Sequence, residues 1–573
     1  MIFYPAFPQR EIIELDGIWQ FRFLEDAPLE SLNPENFVFD DVMAVPGSFD
    51  CSPSCYSKRG TALYRTEFTV KNTMEASLLK IGGIGLRGKF WINGKEAGFT
   101  NLPYSGVEFP SGRLSAGRHA LTAALDNRFD PDKMKLFYPN YDFYAFGGFY
   151  RGLSLSGVPE TWIDRVQVLT KDFRTGRVRV RVLLGGKPLS ETVLKFRSDT
   201  EKEFKNIPVK FQEQIAETEL SVPDFQCWSP ENPHMHTLET VLENGDSAIE
   251  SFGIREIRTE GTRILLNGQA IRLKGFNRHE SHPEFGPAVP LPVMIEDLQN
   301  LKRLHCNFIR GAHYPQDPKF LQLCDRTGFL VWEESLGWGN NAAQMFDPEF
   351  MRLQLEQTRR MVRNSINHPS VIIWAFLNEF HSVSEEGRNL CRELVKAIKE
   401  EDPTRLVSFA DCHCHADAEK LNCYEFLDVV SYNTYPGWIS ADSAEEPEAY
   451  IRPDRDRILE LIRRRGMDRK PILVSEMGCC AIYGQHSPDD AQWTEEFQAR
   501  YLEEVITRVF EMPEISGLAI WQFNDAKSYL RKGSTIRTKP FGYNLAGVFD
   551  RYRRPKLAAA VVERLFRDIP ATR

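Results

Sequence analysis

Two apolar segments of the chain each end in a carboxylic acid. Residues 371–379 read Val-Ile-Ile-Trp-Ala-Phe-Leu-Asn-Glu, and residues 471–476 read Pro-Ile-Leu-Val-Ser-Glu. Continuous hydrophobic runs of this kind are typical of parallel strands, which are buried on both faces. In a parallel barrel, catalytic groups lie where the strands end. The pattern therefore predicts that Glu379 and Glu476 meet in one pocket, and two carboxylates can hydrolyse a glycosidic bond.

Each glutamate alone also has an ordinary structural explanation. A carboxylate at a strand end can form an ion pair, and a fold by itself does not establish a function. Two such strand ends, one of them with Asn378 before the acid, favour a catalytic pair. Carboxylates ~5–5.5 Å apart give retention of configuration and wider pairs give inversion, but the sequence pattern does not set this distance.

The elements that would position these acids change along the chain. Residues 1–160 carry short alternating segments and the hairpin signal Asn93-Gly94, which predict a β-sandwich. Residues 161–255 predict a smaller, immunoglobulin-like sandwich. In residues 256–573, strand-like and amphipathic segments alternate, as a (β/α)8 TIM barrel requires. The predicted barrel strands are 271–277, 308–314, 329–334, 371–379, 406–411, 428–435, 471–478 and 517–525.

The overall composition narrows the functional class. The chain has 573 residues, too many for one core, so several domains are expected. A net charge of −9 argues against nucleic acid as a partner, because nucleic-acid binding rests on a basic surface. There is no signal-peptide pattern, no apolar run near the ~20 residues of a membrane span, and an odd number of scattered cysteines, 11. We expect a cytoplasmic protein with reduced thiols and no membrane partner.

Several motifs together resemble glycoside hydrolase family 2, whose best-known members are β-galactosidases and β-glucuronidases. The resemblance covers nearly the whole chain and implies three domains in order: a sugar-binding-like jelly-roll sandwich, an immunoglobulin-like sandwich and a catalytic TIM barrel. The motifs that carry it are 273–280, 309–315, 367–371, 378–379, 475–478 and 547–551, with Asp142 and the segment 147–151 in the first sandwich.

The resemblance implies retention of configuration and assigns roles to individual residues. Glu379 would be the general acid/base and Glu476 the nucleophile. The acid needs a raised pKa that falls once the charge of the nucleophile is consumed. Asn378 would hydrogen-bond the 2-hydroxyl group of the sugar, Tyr435 would contact the nucleophile, and Trp521 would form a platform under the sugar.

The resemblance also bears on which sugar is bound. β-Glucuronidases of this type carry an Asn-x-Lys motif whose lysine pairs with the C6 carboxylate, whereas this chain has Asn544-Leu545-Ala546. Burying a carboxylate without a cation is costly. The main prediction is therefore a β-galactosidase, with His313 matching a histidine of the β-galactosidase pocket and Asp142 on a loop that reaches into the barrel.

Two alternatives stay open. A β-hexuronidase, acting on glucuronides or galacturonides, would take its missing cation from the loop 527–539, although each charge there is expected to be solvated. The candidate cations are Arg531, Lys532, Arg537 and Lys539. A non-catalytic carbohydrate-binding protein is the more distant alternative, and the presence of both glutamates argues against it. The resemblance also implies that a homo-oligomer is possible, because family members are commonly dimers or tetramers.

No cofactor is required under this resemblance, although β-galactosidases hold a sodium ion near O6. Its expected ligands here are Asp142, the Phe541 carbonyl and Asn544. A zinc hypothesis arises separately at the segment 412–415, which reads Cys-His-Cys-His, because thiolates and imidazoles bind zinc. On a strand this alternation would point the pairs to opposite faces, so a loop that contacts the aglycone is favoured.

Overall fold

The computed structural model describes residues 3–139, 141–417, 423–438, 446–529 and 539–572. The first region is a sandwich of antiparallel strands. These strands are β1 Ile12–Glu14, β2 Gly17–Leu24, β3 Asp41–Val45, β4 Gly47–Ser48, β5 Thr61–Val70, β6 Ala76–Ile81, β7 Arg87–Ile92, β8 Lys95–Thr100, β9 Val107–Pro110, β10 Gly117–Asp126, β11 Gly148–Phe149 and β12 Leu153–Val158.

Two sheets of this region pack face to face, in the orders β3-β2-β5-β10-β7-β8 and β1-β12-β6-β9, and β4 pairs with β11. Buried aromatic rings fill the space between them; Phe149 lies 5.6 Å from Trp19 and 5.1 Å from Tyr64, between ring centres. Asn93 and Gly94 join β7 to β8 with positive φ angles of 52° and 78°, as a two-residue type I′ turn requires. The predicted hairpin is confirmed.

The second region is a smaller sandwich built on alternation. Val178, Val180 and Val182 are buried between exposed or half-buried arginines of the same strand, which is the period of a strand with one face in a core. The strands are β13 Thr161–Asp172, β14 Arg177–Gly186, β15 Glu191–Ser198, β16 Lys205–Lys210, β17 Ile215–Ser221, β18 His236–Val241 and β19 Ser247–Phe252. Their sheets have the orders β13-β14-β17 and β16-β15-β18-β19.

The third region is a parallel barrel, preceded by the small antiparallel sheet of β20 Ile257–Glu260, β21 Arg263–Leu266 and β22 Gln269–Ile271. The barrel strands are β23 Leu273–Arg278, β24 Phe308–Gly311, β25 Leu330–Trp338, β26 Val371–Asn378, β27 Leu406–Ser408, β28 Val430–Asn433, β29 Ile472–Met477 and β30 Ile515–Ile520. A parallel bridge between Asp411 and Tyr432 closes the barrel between β27 and β28.

Amphipathic helices surround the barrel, each with one buried face. They are α1 Leu291–Arg303, α2 Pro318–Thr327, α3 Ala342–Phe346, α4 Pro348–Ser365, α5 Glu385–Glu401, α6 Glu448–Arg464, α7 Glu495–Phe510 and α8 Leu557–Asp568. A short hairpin of β31 Ala526–Lys527 and β32 Tyr543–Asn544 follows β30. None of the helices in the described ranges is long and apolar enough to cross a membrane.

The fold class predicted from the sequence is confirmed: two regions of mostly β structure precede a barrel of parallel strands. Each predicted barrel strand overlaps an observed one, because strands buried on both faces leave a continuous apolar signal. The domain boundaries at 160 and 255 stay predictions.

Candidate active site

Glu476 lies near the C-terminal end of β29, and two donors bind its carboxylate. Arg310 Nη1 is 2.5 Å from Glu476 Oε1, and the Tyr435 hydroxyl donates a hydrogen bond to Glu476 Oε2. Glu476 is 2 % exposed. A buried carboxylate whose two oxygens both accept charge-assisted or hydroxyl hydrogen bonds is held in one orientation. This is the requirement for a group that must attack along one direction.

Arg310 was not predicted as a site residue from the sequence, yet its guanidinium contacts several side chains of the site. The fully buried guanidinium, at the end of β24, donates to the carboxylates of Glu476 and Glu334. It also donates to Asn277 Oδ1 at 2.8 Å and to Asn378 Oδ1 at 2.9 Å. Glu334 had the same signal as the two predicted acids, since it follows an apolar run in β25.

Glu379 follows β26, with a positive φ of 54° that turns the chain out of the strand. Its Oε1 accepts a hydrogen bond of 2.8 Å from Asn433 Nδ2. Burial and the charge of Glu476 raise the pKa of Glu379 to about 8, although the hydrogen bond from Asn433 and the charge of Arg310 act in the opposite direction. Glu379 therefore keeps its proton at neutral pH, which suits a general acid.

Asn378 is fully buried beside Glu379. Its Oδ1 accepts from Arg310 and, at 3.0 Å, from Asn433 Nδ2. Its Nδ2 has no hydrogen-bond partner among the described residues. A buried donor without a partner costs free energy unless a ligand satisfies it. This is consistent with the predicted contact to a sugar hydroxyl.

His313 and Trp521 form one wall of the site. Their rings stack with centres 5.3 Å apart, and Trp521 is 5 % exposed. His313 Nδ1 is 3.2 Å from Glu334 Oε1, and its Nε2 is 3.9 Å from Glu476 Oε1. Burial and the charge of Arg310 lower the pKa of His313 to about 3, so the ring is neutral.

Asp142 comes from the first region and contacts the barrel. Lys539 Nζ lies 2.8 Å from Asp142 Oδ2, and Asn544 Nδ2 lies 3.5 Å from the same oxygen. Ser528 Oγ donates to the Asp142 carbonyl oxygen at 2.7 Å. The Lys539 side chain is 6 % exposed. The expectation that this lysine is solvated was wrong, because Asp142 and the surrounding loops enclose it.

Lys539 also bears on the expected sodium ion at Asp142, Phe541 and Asn544. An ammonium group already occupies the Asp142 carboxylate, and a second cation on the same oxygen would be repelled. The Phe541 residue is 74 % exposed. The sodium hypothesis therefore finds no support in this geometry. The other three candidate cations of the loop, Arg531, Lys532 and Arg537, lie outside the described residues.

The segment 412–415 forms a turn rather than a strand. His413–His415 is a short 3-10 helix, so its residues do not alternate between two faces. Cys412 Sγ is 3.9 Å from the Glu379 carbonyl oxygen, and His415 Nε2 pairs with Asp454 at 3.3 Å. The side chains thus diverge, which does not suit zinc. Contact with the aglycone stays a prediction.

Comparison with known proteins identifies the family. The family description "Glycosyl hydrolases family 2, TIM barrel domain" matches residues 257–570, and "Glycosyl hydrolases family 2" matches residues 161–255. The chain belongs to glycoside hydrolase family 2. A member of this family hydrolyses glycosidic bonds, so the predicted enzyme class is confirmed. Glycosidases of this family are typically independent of cofactors.

Several similar proteins carry the names of enzymes that hydrolyse uronides. A β-galacturonidase from Eisenbergiella tayi, solved with galacturonate, is 32 % identical, with a TM-score of 0.90 over 100 % of both chains. The β-glucuronidase of Rattus norvegicus is 27 % identical and covers 100 % of this chain and 93 % of its own. The β-glucuronidase of Streptococcus agalactiae is 26 % identical, and the match covers 99 % of this chain and 98 % of the bacterial enzyme. These findings support a β-glycosidase and favour the hexuronidase alternative over the predicted β-galactosidase.

Proposed function

We propose that this enzyme is a retaining β-D-hexuronidase, which removes a terminal uronic acid from a β-glycoside. The observation that carries the proposal is the buried ammonium group of Lys539 at Asp142. A uronide bears a carboxylate at C6, and a carboxylate that leaves water needs a cation. Lys539 supplies this cation from a chain position other than the Asn-x-Lys motif that Ala546 interrupts.

Lys539 lies close to the candidate catalytic residues through a short chain of contacts. Its Nζ is 5.3 Å from the ring centre of Trp438. Trp438 packs edge to face on Tyr435, with ring centres 4.9 Å apart, and Tyr435 donates to Glu476. Lys539 is thus separated from Glu476 by two aromatic side chains, and we propose that the C6 group of a sugar bound at Glu476 faces this lysine.

The two hexuronides that the relatives hydrolyse differ only in the orientation of the 4-hydroxyl group. C4 is joined to C5, which carries the carboxylate. Asp142 offers an acceptor for a hydroxyl next to the cation that would bind the carboxylate, so it is placed to tell an axial from an equatorial 4-hydroxyl. Because the Eisenbergiella tayi β-galacturonidase is more similar to this chain than the β-glucuronidases quoted above, we favour the galacturonide.

In the first step of the proposed mechanism, a Glu476 oxygen bonds to C1 while the bond from C1 to the aglycone oxygen breaks. Glu379 gives its proton to that leaving oxygen. The product is a glycosyl ester of Glu476, and Glu379 becomes a carboxylate. Since the charge of Glu476 helps to raise the pKa of Glu379, forming the ester lowers that pKa.

In the second step Glu379 acts as the base. It removes a proton from water, the water oxygen bonds to C1, and the ester bond to Glu476 breaks. Arg310 and Tyr435 receive the released carboxylate in its original orientation. The unpaired Asn378 Nδ2 would bind the 2-hydroxyl group, where a contact strengthens in the transition state.

The test compares initial rates on nitrophenyl β-D-galacturonide, glucuronide, galactoside and glucoside at one pH, for the wild type and for Lys539→Met. We expect the wild type to prefer a uronide. We expect Lys539→Met to lower kcat/KM for that uronide by ~30-fold or more, since truncating one partner of a buried charge pair costs ~2–5 kcal/mol. Its rate on the neutral galactoside should change far less.

Lys527→Met is the matched control. Lys527 begins the same loop, but its Nζ contacts Ser57 and the rings of Tyr56 and Tyr144, away from Asp142. If Lys539→Met lowers kcat/KM by the same factor for uronides and for neutral glycosides, Lys539 has a structural role. A wild type that prefers galactoside would restore the β-galactosidase prediction.

Cytoplasmic localisation belongs to the same proposal. All 11 cysteines are free thiols, as expected in a reducing compartment. Its test is fractionation of the source cells followed by a uronidase assay of each fraction. Activity outside the cytoplasmic fraction would contradict it.

A further inference from the structure

Two imidazoles and a carboxylate meet at one end of the second sandwich, in a region that the glycosidase mechanism does not use. His236 opens β18, His234 precedes it by two residues, and Asp199 follows the neighbouring strand β15. One ligand atom from each of the three lies within 4.8 Å of the others. Neutral imidazoles and a carboxylate are common ligands of zinc and similar ions.

His236 is fully buried, and both of its ring nitrogens have partners. Nδ1 is 3.2 Å from Asp199 Oδ1. Nε2 lies 3.1 Å from the Gln226 amide nitrogen and 3.2 Å from the Gln226 carbonyl oxygen. With its proton on Nδ1, the ring donates to Asp199 and Nε2 accepts from the Gln226 amide. With its proton on Nε2, the ring donates to the Gln226 carbonyl oxygen instead.

The second tautomer is the one that suits a metal ligand. When Nε2 donates to the Gln226 carbonyl, the lone pair of Nδ1 faces the Asp199 carboxylate. Two acceptors at this distance repel each other unless a cation lies between them. A ring nitrogen that donates to a backbone carbonyl is also the usual support of a metal-bound histidine. When a metal ion binds between Nδ1 and Asp199, the ring proton would thus be on Nε2 instead of Nδ1.

His234 provides the third ligand. Its ring centre is 4.6 Å from that of His236, and neither of its ring nitrogens has a hydrogen bond to any residue within the described ranges. The side chain is half-buried.

We propose that Asp199, His234 and His236 form a site for a divalent transition-metal ion, with zinc as its natural occupant, which joins the ends of β15 and β18. The site lies in the second sandwich, and catalysis in the barrel does not need it. Its effect is on stability, because an ion that binds only the folded state raises the unfolding temperature.

The test is calorimetric titration of the full-length enzyme with zinc chloride after treatment with a chelator, together with thermal unfolding in its presence. We expect one saturable zinc ion per chain and a rise in the apparent unfolding temperature. His234→Ala and Asp199→Asn should each weaken zinc binding by more than ~10–100-fold, since even the loss of a residue that only hydrogen-bonds a metal ligand has that effect. Asp199→Asn keeps an acceptor for the Thr237 amide, so the turn should still fold.

His486→Ala is the matched control. His486 lies between β29 and α7 of the barrel and forms an ion pair with Glu496 at 2.7 Å, so its loss should leave the titration unchanged. Hydrolysis rates of His234→Ala should equal those of the wild type. The proposal is overturned if the wild type binds no stoichiometric zinc, or if both ligand variants bind zinc as the wild type does.

Discussion

The two candidate catalytic residues are chemically identical, and their neighbours separate their roles. Arg310 and Tyr435 donate hydrogen bonds to both oxygens of Glu476 and hold its carboxylate in one orientation. Burial and the charge of Glu476 raise the pKa of Glu379 to about 8. One carboxylate is thus prepared to attack and the other to donate a proton.

Removal of the nucleophile should be rescued by a small anion. Glu476→Ala should lose turnover by ~10⁴-fold or more, as does loss of other enzyme nucleophiles. Azide that enters the vacated space attacks C1 from the same side as the missing carboxylate and should yield the α-glycosyl azide. In Glu379→Gln the glycosyl-enzyme still forms, so azide should yield the β-glycosyl azide instead. The configuration of the azide product is determined by NMR. If Glu476→Ala yields no α-glycosyl azide, the assignment of Glu476 as the nucleophile is contradicted.

The proton on Glu379 should set the alkaline side of the pH profile. A general acid is lost once it ionises, so kcat/KM should fall above pH 8, given a pKa of about 8. Asn433 stabilises the charged form through its hydrogen bond to Glu379. Asn433→Ala should therefore raise the pKa and move the alkaline limb up by ~1 unit, since such a bond contributes ~1.5 kcal/mol and one pKa unit is ~1.4 kcal/mol.

The control for this shift is Ser475→Ala. Ser475 Oγ donates to Asn433 Oδ1 and does not bind Glu379, so its loss should leave the alkaline limb in place. If the alkaline limb of Asn433→Ala is unchanged, or shifts to lower pH, a group other than Glu379 controls it.

At the scale of elements, the site combines strand ends of the barrel with one loop of the first sandwich. The loop between β10 and β11 carries Asp142, and Phe143 fastens it to the barrel. The Phe143 ring packs against His279, His313 and Tyr314 with ring centres 5.4, 5.7 and 5.5 Å apart. Aromatic packing of this kind holds an element in place without contacting substrate.

Removal of this aromatic contact should affect every substrate alike. Phe143→Ala removes a buried ring, at a cost of ~3–5 kcal/mol, and frees the loop that carries Asp142. We expect kcat/KM to fall by a similar factor, ~10-fold or more, for uronides and neutral glycosides, since a small displacement of a positioning group has effects of that size. Phe346→Ala, at a residue that is 75 % exposed, is the control. A loss confined to uronides would mean that Phe143 acts through Lys539 alone.

At the scale of the whole molecule, the three regions meet at a cavity of about 200 Å³. Gln167 and Glu250 of the second sandwich and Gln316 and Glu333 of the barrel line it. Gln167 Nε2, Gln316 Oε1 and Glu333 Oε2 have no hydrogen-bond partner within the described ranges. Polar atoms of this kind are usually satisfied by water, so the junction is best described as polar and hydrated.

The two buried acids make the stability of this junction depend on pH. Burial raises the pKa of Glu250 and of Glu333 to about 7, against opposing effects of His368, of Asn367 on Glu250 and of Ser365 on Glu333. The folded state then binds their protons more tightly than the unfolded state does. The protonated acids therefore add to the free energy of unfolding at pH values below 4.5, the ordinary pKa of a glutamate. This contribution is lost as the pH rises from 4.5 through 7.

Neutral replacements should remove this dependence. Glu333→Gln and Glu250→Gln should each raise the apparent unfolding temperature at pH 8 relative to the wild type, and change it little at pH 5. The measurement is thermal unfolding across this range, with the exposed Glu25→Gln as control. A gain of equal size at both pH values would mean that the carboxyl charge is not the cause.

The barrel and the position of its two acids could be predicted from the order of residues alone. Strands buried on both faces are apolar throughout, so the runs before Glu379 and Glu476 mark strand ends without any tertiary information. The hairpin at Asn93-Gly94 was predictable for the same local reason, because its backbone angles depend on two residues. The fold class and the enzyme class follow from signals of this kind.

The pairing of charged side chains could not be predicted in this way and became visible only in the folded chain. The segment with Asn544-Leu545-Ala546 indicated a missing cation, and the β-galactosidase prediction rested on that absence. In the folded chain Lys539 approaches Asp142, a residue of another region, and Arg310 joins Glu476 to Glu334. Such contacts depend on which distant segments become buried together. Hydrophobic periodicity is a property of neighbouring residues and therefore carries no record of them.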